Sequence, residues 1–217
     1  MPQPPGQRPY NSPGRAAAAA ETRRRILDAA VEQFSESGYQ GTTIADIARS
    51  AGVSVQSVQL AGNKGSLLMA AFEVAFAGDE GTHPLAERPV MVEIMALPEP
   101  AEALAAYIRY IADANQRAAG LWLAIADAAQ ADAAMAEQYA DLDRRRAEDL
   151  AIGAAWIADR GLLREGLTVA EAADILTLVT APETHQHFTR RCGWALDRYR
   201  AWMGDAISQL LFRSPPP

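Results

Sequence analysis

Apolar residues recur with the period of an α-helix along most of the chain. Near the N-terminus, Ile26, Ala29, Ala30 and Phe34 are spaced as one face of a helix, which the pattern ends at Gly38. The same period returns in several longer segments after residue 100, and no segment alternates with the period of a β-strand. The sequence therefore predicts an all-α fold.

Capping residues divide the N-terminal part of the chain into short helices. Thr42 or Thr43 precedes a short apolar-periodic segment that Gly52 closes. Ser54 then stands where the N-cap of a third helix, "VQSVQLA", belongs. A long helix followed by two short helices around a tight turn is the arrangement of a helix-turn-helix unit.

Composition and breaks in periodicity predict four segments. Residues 1–18 are rich in Pro and Gly and are expected to form a disordered arm. Residues 19–67 contain the helix-turn-helix, residues 68–213 form a helical C-terminal domain, and residues 214–217 are a tail. The chain has one cysteine, no hydrophobic signal-peptide core and no apolar run long enough to span a membrane. We expect a cytoplasmic protein without a membrane partner.

Charge is distributed unevenly along the chain. The whole sequence has a net charge of −7, whereas the first 68 residues carry seven basic and five acidic side chains. An acidic body with a slightly basic N-terminal end favours a nucleic-acid partner at that end.

The segment "TRRRILDAAVEQFSESGYQGTTIADIARSAGVSVQSVQLAGNKGSLL" resembles the tetracycline-repressor (TetR) family of transcriptional regulators. The resemblance implies an N-terminal three-helix DNA-binding domain and a helical C-terminal domain that binds ligand and dimerises. It also implies a homodimer that binds double-stranded operator DNA and responds to a small-molecule effector. A repressor released from a palindromic operator by that effector is the function it favours.

The polar residues of the second and third helices suit contacts with DNA. Gln56 and Gln59 lie on one helical face and can bond adenine, and Val55 can meet a thymine methyl group. Hydroxyl groups and free backbone N–H groups at helix starts suit phosphates, as does the only lysine of the chain. The predicted DNA-binding residues are Thr43, Ser54, Val55, Gln56, Ser57, Gln59 and Lys64.

The third helix departs from the pattern of the family it resembles. Members of that family usually carry a Tyr where this chain has Gln59, and a Phe before the turn. Here "LAGN" is one residue too short, and the Phe is absent. An alternative function is therefore a helical dimeric sensor or interaction protein that has lost specific DNA binding.

Aromatic and large side chains of the C-terminal domain are the candidates for a ligand pocket, because such pockets are mostly apolar with a few polar groups. The candidates are Tyr107, Tyr110, Trp122, Met135, Trp156, His185 and Phe188. Trp194, Tyr199 and Trp202 are expected at the subunit interface, where aromatic residues are enriched.

Other chemical signals are weak. His185 and His187 are two residues apart, so on a helix they point in different directions and no metal site is expected. Cys192 is either a plain buried cysteine or a redox-sensitive thiol beside two arginines. The run "DLDRRRAEDL" is interpreted as a solvated helix face. No catalytic or dinucleotide motif is present, so neither an enzyme nor a bound cofactor is expected.

Overall fold

The computed structural model describes residues 13–81 and 83–213, and this part of the chain is built from helices. In chain order they are α1 (Pro13–Gly41), α2 (Ile44–Ala51), α3 (Val55–Ala61), α4 (Lys64–Ala77), α5 (Pro89–Ala96), α6 (Pro100–Ala131), α7 (Ala133–Asp159), α8 (Val169–Val179), α9 (Pro182–Gln186) and α10 (Leu196–Leu211). A 3-10 turn (Leu85–Glu87) precedes α5, and a π-helical turn (His187–Arg191) follows α9. The all-α prediction is confirmed. None of the described helices combines the length and apolarity needed to cross a membrane.

Helix α1 begins earlier than the sequence analysis predicted. Residues 13–18 were expected within the disordered arm of residues 1–18, but they lie in α1. The alanine run at 16–20 explains the difference, because alanine has the highest intrinsic helix propensity. Residues 1–12 and the predicted tail 214–217 lie outside the described residues. Gly38 interrupts the helical backbone at φ 68°, and the chain then resumes helical geometry up to Gly41.

The first of two hydrophobic cores joins the N-terminal helices to the body. The predicted face of α1 is buried in it, together with side chains of α2, α3, α4, α6 and α7. Leu67 and Leu68 are both 0% exposed in this core. The predicted domain boundary after residue 67 therefore falls inside α4 and does not mark a break in packing.

The second core fills the C-terminal part of the body. It is formed by α6, α7, α8 and α10, and Tyr199 and Met203 of α10 are both 0% exposed within it. Helix α6 contributes to both cores, with Ile108 and Ile111 in the second and Leu121 and Ile125 in the first.

Gly120 allows α6 to approach α1 closely. A Cβ atom at this position would lie 3.1 Å from both Cα and Cβ of Ser35 and 3.3 Å from its carbonyl oxygen. In contrast, a Cβ atom at Gly153 of α7 would meet only Cδ1 of Leu176, at 4.0 Å. The two helical glycines therefore differ in the space around them.

We predict opposite effects of adding a methyl group at these two glycines. Gly153→Ala should raise the free energy of unfolding by about 0.5–1 kcal/mol, because alanine is the better helix former. Gly120→Ala should lose this gain or destabilise the chain, because its methyl group meets the backbone of α1. Urea unfolding followed by circular dichroism measures both, and an equal gain for the two variants would contradict the close approach.

Candidate nucleic-acid interface and body cleft

Side-chain caps and one glycine form the helix-turn-helix. Oγ1 of Thr43 accepts from the N–H of Asp46 at 3.1 Å, and the Asp46 carboxylate accepts from the N–H of Thr43 at 3.2 Å. Gly52 closes α2 in the left-handed conformation, at φ 63°. Ser54 then caps α3 by accepting from the N–H of Ser57 at 3.1 Å. The caps predicted at Ser54 and Gly52 are confirmed, and Thr43 rather than the preceding threonine caps α2.

Helix α3, which we call the recognition helix, presents most of its side chains to solvent. Only Val58 is buried, while Val55 is 43% exposed and Gln56 and Gln59 are exposed. Leu60 is 82% exposed on the same helix, although it was not among the predicted DNA-binding residues. Its spacing four residues after Gln56 was the available signal, because residues i and i+4 share a helix face.

Two arginines of α1 hold the C-terminal ends of α2 and α3. Nη1 of Arg23 donates to the carbonyl oxygen of Ala61 at 2.8 Å, and Nη1 of Arg25 donates to that of Ala51 at 3.4 Å. Cations are favourable at helix C-termini, where carbonyl groups lack helical partners. The recognition helix, which has no aromatic residue of its own, is therefore anchored by the buried Val58 and by one charged hydrogen bond from Arg23.

Lys64 begins α4 and lies against α1. Its Nζ is 4.4 Å from the centroid of the Tyr39 ring, and that ring stacks on Phe34 at 6.2 Å between centroids. Partial burial lowers the pKa of the Lys64 ammonium group. The cation predicted to contact phosphate is thus half-buried on an aromatic face.

The C-terminal domain contains an apolar cleft that is partly open to solvent. Its lining is Leu85, Ala86, Met91, Ile94, Met95, Ala103, Leu104, Tyr107, Asp149, Leu150, Gly153, Trp156, Ile157, Leu176, Ile207 and Phe212. Tyr107 and Trp156 were predicted for a pocket and lie here. Burial raises the pKa of Tyr107 to about 12, and Nε1 of Trp156 donates to the carbonyl oxygen of Met95 at 2.9 Å. A cleft with this lining suits a small, largely apolar molecule.

A charged region adjoins the apolar cleft, and Leu85, Tyr107, Asp149 and Leu150 line both. We call this region, which also contains Glu73, Arg88, Arg145, Arg146 and the predicted Trp122, the charged end of the cleft. Glu73 of α4 is 9% exposed, and its carboxylate accepts from Nη2 of Arg145 at 3.0 Å. Burial raises the pKa of Glu73, and its two arginine neighbours oppose that shift. A buried ion pair therefore connects α4 to α7.

The interpretation of "DLDRRRAEDL" as a solvated face is wrong for two of its three arginines. Arg144 is exposed and pairs with Glu148 at 2.7 Å. Arg145 is half-buried and pairs with Glu73 of α4 as well as with Asp141, at 3.1 Å, and Arg146 lines the charged end of the cleft. Consecutive helical residues are about 100° apart around the axis, so three neighbours cannot share one face.

Two further pocket candidates lie away from the apolar cleft. Met135 is 1% exposed in the first core, where it packs beside Gly65 of α4. Its long apolar side chain fills core space and is not part of the lining of the apolar cleft. Tyr110 is half-buried near the second core, and its hydroxyl group is buried without a hydrogen-bond partner among the described residues.

Phe188 lies in an aromatic cluster rather than in the cleft. Its ring centroid is 4.4 Å from that of Trp194 and 4.3 Å from that of Trp202. Tyr199 was predicted at the subunit interface, but it is 0% exposed within the chain's own core. This prediction is wrong for Tyr199, because α10 turns it inward, whereas Trp202 of the same helix and Trp194 before it are half-buried.

His185 and His187 have different environments. His185 is 1% exposed, its Nε2 is 3.2 Å from Oε1 of Gln116, and its Nδ1 has no hydrogen-bond partner in the part of the chain that the structure describes. His187 is exposed, with Nε2 at 3.6 Å from Sγ of Cys192, which is exposed and not buried. Within residues 13–81 and 83–213, no group of three or more His, Cys, Asp or Glu side chains is arranged to hold a metal ion.

Residues 26–60 match the family model described as "Bacterial regulatory proteins, tetR family". The match extends from the buried face of α1 to the recognition helix. The resemblance to the TetR family is thereby confirmed for the N-terminal domain. Comparison with curated proteins finds no matching sequence.

Solved structures show that the similarity of fold extends over most of the chain. A protein from Rhodococcus sp. described as a TetR-family transcriptional regulator is 17% identical, with a TM-score of 0.69, covering 88% of this chain and 99% of that one. A transcriptional regulator from Saccharomonospora viridis in complex with choline is 20% identical, with a TM-score of 0.67 and coverages of 89% and 98%. FadR from Bacillus subtilis in complex with stearoyl-CoA is 21% identical, with a TM-score of 0.66 and coverages of 88% and 98%. At these identities, the likeness establishes the fold.

We predict that His185 makes the stability of the chain fall in mild acid. Burial, with a smaller contribution from Arg190, lowers the pKa of His185 below its ordinary value of about 6.5. Below that pH the unfolded chain binds the proton more readily than the folded chain, so the free energy of unfolding decreases. Between pH 7.5 and 5.5, the wild type should lose about 1 kcal/mol more than His185→Gln.

Urea unfolding at the two pH values measures this difference. His187→Gln is the matched control, because its histidine is exposed and two residues away, and it should follow the wild type. Parallel pH dependence of the wild type and His185→Gln would refute the prediction.

Proposed function

We propose that this chain, whose N-terminal domain and fold are those of TetR-family regulators, is a ligand-responsive transcriptional repressor. It binds a palindromic operator as a homodimer, and a small molecule that binds in the apolar cleft releases it from the DNA. The observation that carries the proposal is the capped helix-turn-helix, which exposes Gln56 and Gln59 on the recognition helix.

The exposed face of the recognition helix has the chemistry needed in a major groove. A Gln side chain bonds the adenine edge in bidentate fashion, and Val55 and Leu60 offer apolar contacts to thymine methyl groups. The capped starts of α2 and α3, with Thr43, Ser54 and Ser57, suit phosphate oxygens. Lys64 adds a phosphate contact if its ammonium group swings away from Tyr39.

The outer face of the last helices supports dimerisation. Leu178 of α8 is 70% exposed, and Leu210 of the adjacent α10 is 40% exposed. Trp202 is half-buried on α10. An exposed apolar surface of this kind is stabilised when a second copy of the chain covers it.

Helix α4 connects the two functions. It begins directly after the recognition helix and carries Glu73 into the charged end of the cleft, where it pairs with Arg145. A ligand that disturbs this pair shifts α4 and, with it, the separation of the two recognition helices in a dimer. Because operator half-sites have a fixed spacing, that change lowers affinity. Choline and stearoyl-CoA, the ligands of two similar structures, show that this fold accommodates chemically different molecules.

A helical sensor that has lost specific DNA binding is the second candidate. The observations that favour it are the absence of any aromatic residue from the recognition helix and the partial burial of Lys64. Binding of the full chain to its own upstream DNA at two salt concentrations separates the candidates. Site-selective binding with a steep salt dependence supports the repressor, whereas equally weak binding to every duplex supports the sensor.

We predict that two substitutions divide base recognition from phosphate contact. Gln56→Ala should reduce discrimination at one base pair of each half-site by about 1–3 kcal/mol, with little effect on non-specific binding. Lys64→Gln should weaken binding to all sequences and reduce the salt slope by about 1 per subunit. Fluorescence anisotropy with matched and mutated operators measures both effects.

Val92→Ala is the control for these variants, because Val92 is 51% exposed on α5, whose main contacts are with α6 and the 3-10 turn. It should bind every duplex as the wild type does. If Gln56→Ala keeps full base discrimination, Gln56 does not recognise a base in the proposed way.

We predict that Leu178→Glu produces a monomer. A carboxylate on this surface must be desolvated in a dimer, which is unfavourable. Light scattering after size exclusion measures the mass, and affinity for a two-half-site operator should fall by roughly 100-fold because avidity is lost. Val92→Glu, at a 51% exposed position on α5, is the control and should remain dimeric. A dimeric Leu178→Glu chain would place the interface elsewhere.

A further inference from the structure

Arg146 projects from α7 into the charged end of the cleft without a carboxylate partner. Its Nη2 donates to the carbonyl oxygen of Thr177 at 2.6 Å and to Oγ1 of Thr180 at 3.3 Å. It forms no ion pair with any described residue, although the carboxylates of Asp143 and Glu183 are near enough to favour its charged form. Arg146 is thus a half-buried cation held in place by neutral oxygen atoms.

The carboxylates that line this region already have hydrogen-bond or ion-pair partners within the protein. Asp149 accepts from the backbone N–H groups of Leu85 and Ala86 at 2.9 and 3.2 Å. Glu73 pairs with Arg145 at 3.0 Å and lies 3.7 Å from Arg88. The charged end therefore has three guanidinium groups and two engaged carboxylates in its lining. Arg88 also pairs with Asp79, and Arg145 with Asp141 at 3.1 Å. Arg146 is therefore the arginine of this lining that has no ion pair among the described residues.

A second arginine of the same lining also has an unsatisfied donor. Arg88 is 5% exposed, and its Nε has no hydrogen-bond partner among the described residues. An unpaired buried donor is costly unless a ligand or water satisfies it. The region is therefore built to receive hydrogen-bond acceptors with negative charge.

The adjoining apolar cleft can accommodate an apolar part of the same ligand. Ile94, Leu104, Ile157 and Leu176 line it and give it an oily interior. Because the cleft and its charged end share Tyr107 and three other residues, one molecule can occupy both. Such a molecule has an apolar body and one anionic head.

We infer that the effector is an amphipathic carboxylate whose head binds Arg146 and whose apolar body fills the cleft. This inference rests on the proposed function, because it names the ligand class of that regulator. A carboxylate in this position also competes with Glu73 for Arg145, which weakens the connection between α4 and α7.

A quaternary ammonium ligand fits this cleft less well. Such ligands need open aromatic faces. The guanidinium group of Arg160 lies 4.0 Å from the centroid of the Trp156 ring and already covers one face. The guanidinium group of Arg146, which has only neutral hydrogen-bond partners among the described residues, would also repel a cationic head.

Isothermal titration calorimetry of the full chain with three ten-carbon probes tests the inference. Decanoate has the anionic head, decan-1-ol a neutral head and decyltrimethylammonium a cationic head, on the same apolar body. Decanoate should bind the wild type at least about tenfold more tightly than either other probe, since charged hydrogen bonds to arginine are strong. Equal or tighter binding of the alcohol or the ammonium probe, or no binding of decanoate, would overturn the inference.

Two variants of adjacent arginines locate the head group. Arg146→Met should weaken decanoate binding by about tenfold and leave decan-1-ol binding nearly unchanged, because only the charged contact is lost. Arg144→Met is the matched control, because Arg144 is exposed and pairs with Asp141 and Glu148. It should bind all probes as the wild type does. Unchanged decanoate affinity in Arg146→Met overturns the assignment of Arg146.

Arg146→Lys keeps the charge and should retain part of the decanoate affinity, which distinguishes a binding role from a structural one. Thermal unfolding of each variant reports its folding, and the comparison of probes on the wild type does not depend on any variant. Operator binding without probe is measured separately. Loss of the decanoate preference with intact operator binding rejects the effector class alone, whereas absence of operator binding rejects the proposed function.

Discussion

Helix α6 belongs to both hydrophobic cores, and the connection between the two halves of the molecule depends on it. Leu121 and Ile125 pack with α1 and α4, while Ile108 and Ile111 pack with α7, α8 and α10. Because protein interiors are close-packed, a helix shared by two cores cannot shift in one without disturbing the other. The apolar cleft is lined by α6, so a molecule bound there contacts an element that also supports the N-terminal domain.

Charge helps to hold a recognition helix that has no aromatic side chain. The recognition helix buries only Val58, which is little apolar surface for a helix of seven residues. Arg23 bonds its last carbonyl group, where the helix dipole favours a cation. An electrostatic anchor of this kind weakens as salt concentration rises, unlike the packing of a phenyl ring. The position of this helix is therefore expected to depend on ionic strength even without DNA.

Local signals in the sequence predicted local structure well. The caps at Ser54 and Gly52 and the buried face of α1 follow from residue type and spacing, so they were confirmed. The lining of the charged end was not predictable in this way. A run of arginines is usually solvated, and only the packing of α7 against α4 and α8 turns Arg145 and Arg146 inward. The pocket candidates were chosen because they are large or aromatic. Tertiary packing places some of them in the cleft, some in the cores and some near the surface.

The three neighbouring arginines of α7 face solvent, α4 and the cleft only while the helix keeps its register. Deleting one residue before Arg144 would rotate each guanidinium group by about 100° around the axis, and the solvent-facing, α4-facing and cleft-facing positions would be exchanged. The junction between α3 and α4 is less sensitive to a change in length than the interior of α7, because Gly62 ends one helix and Asn63 begins the next. A residue missing there leaves every helical face intact. Insertions and deletions in this lineage are thus expected at the junctions, while α7 diverges by substitution alone.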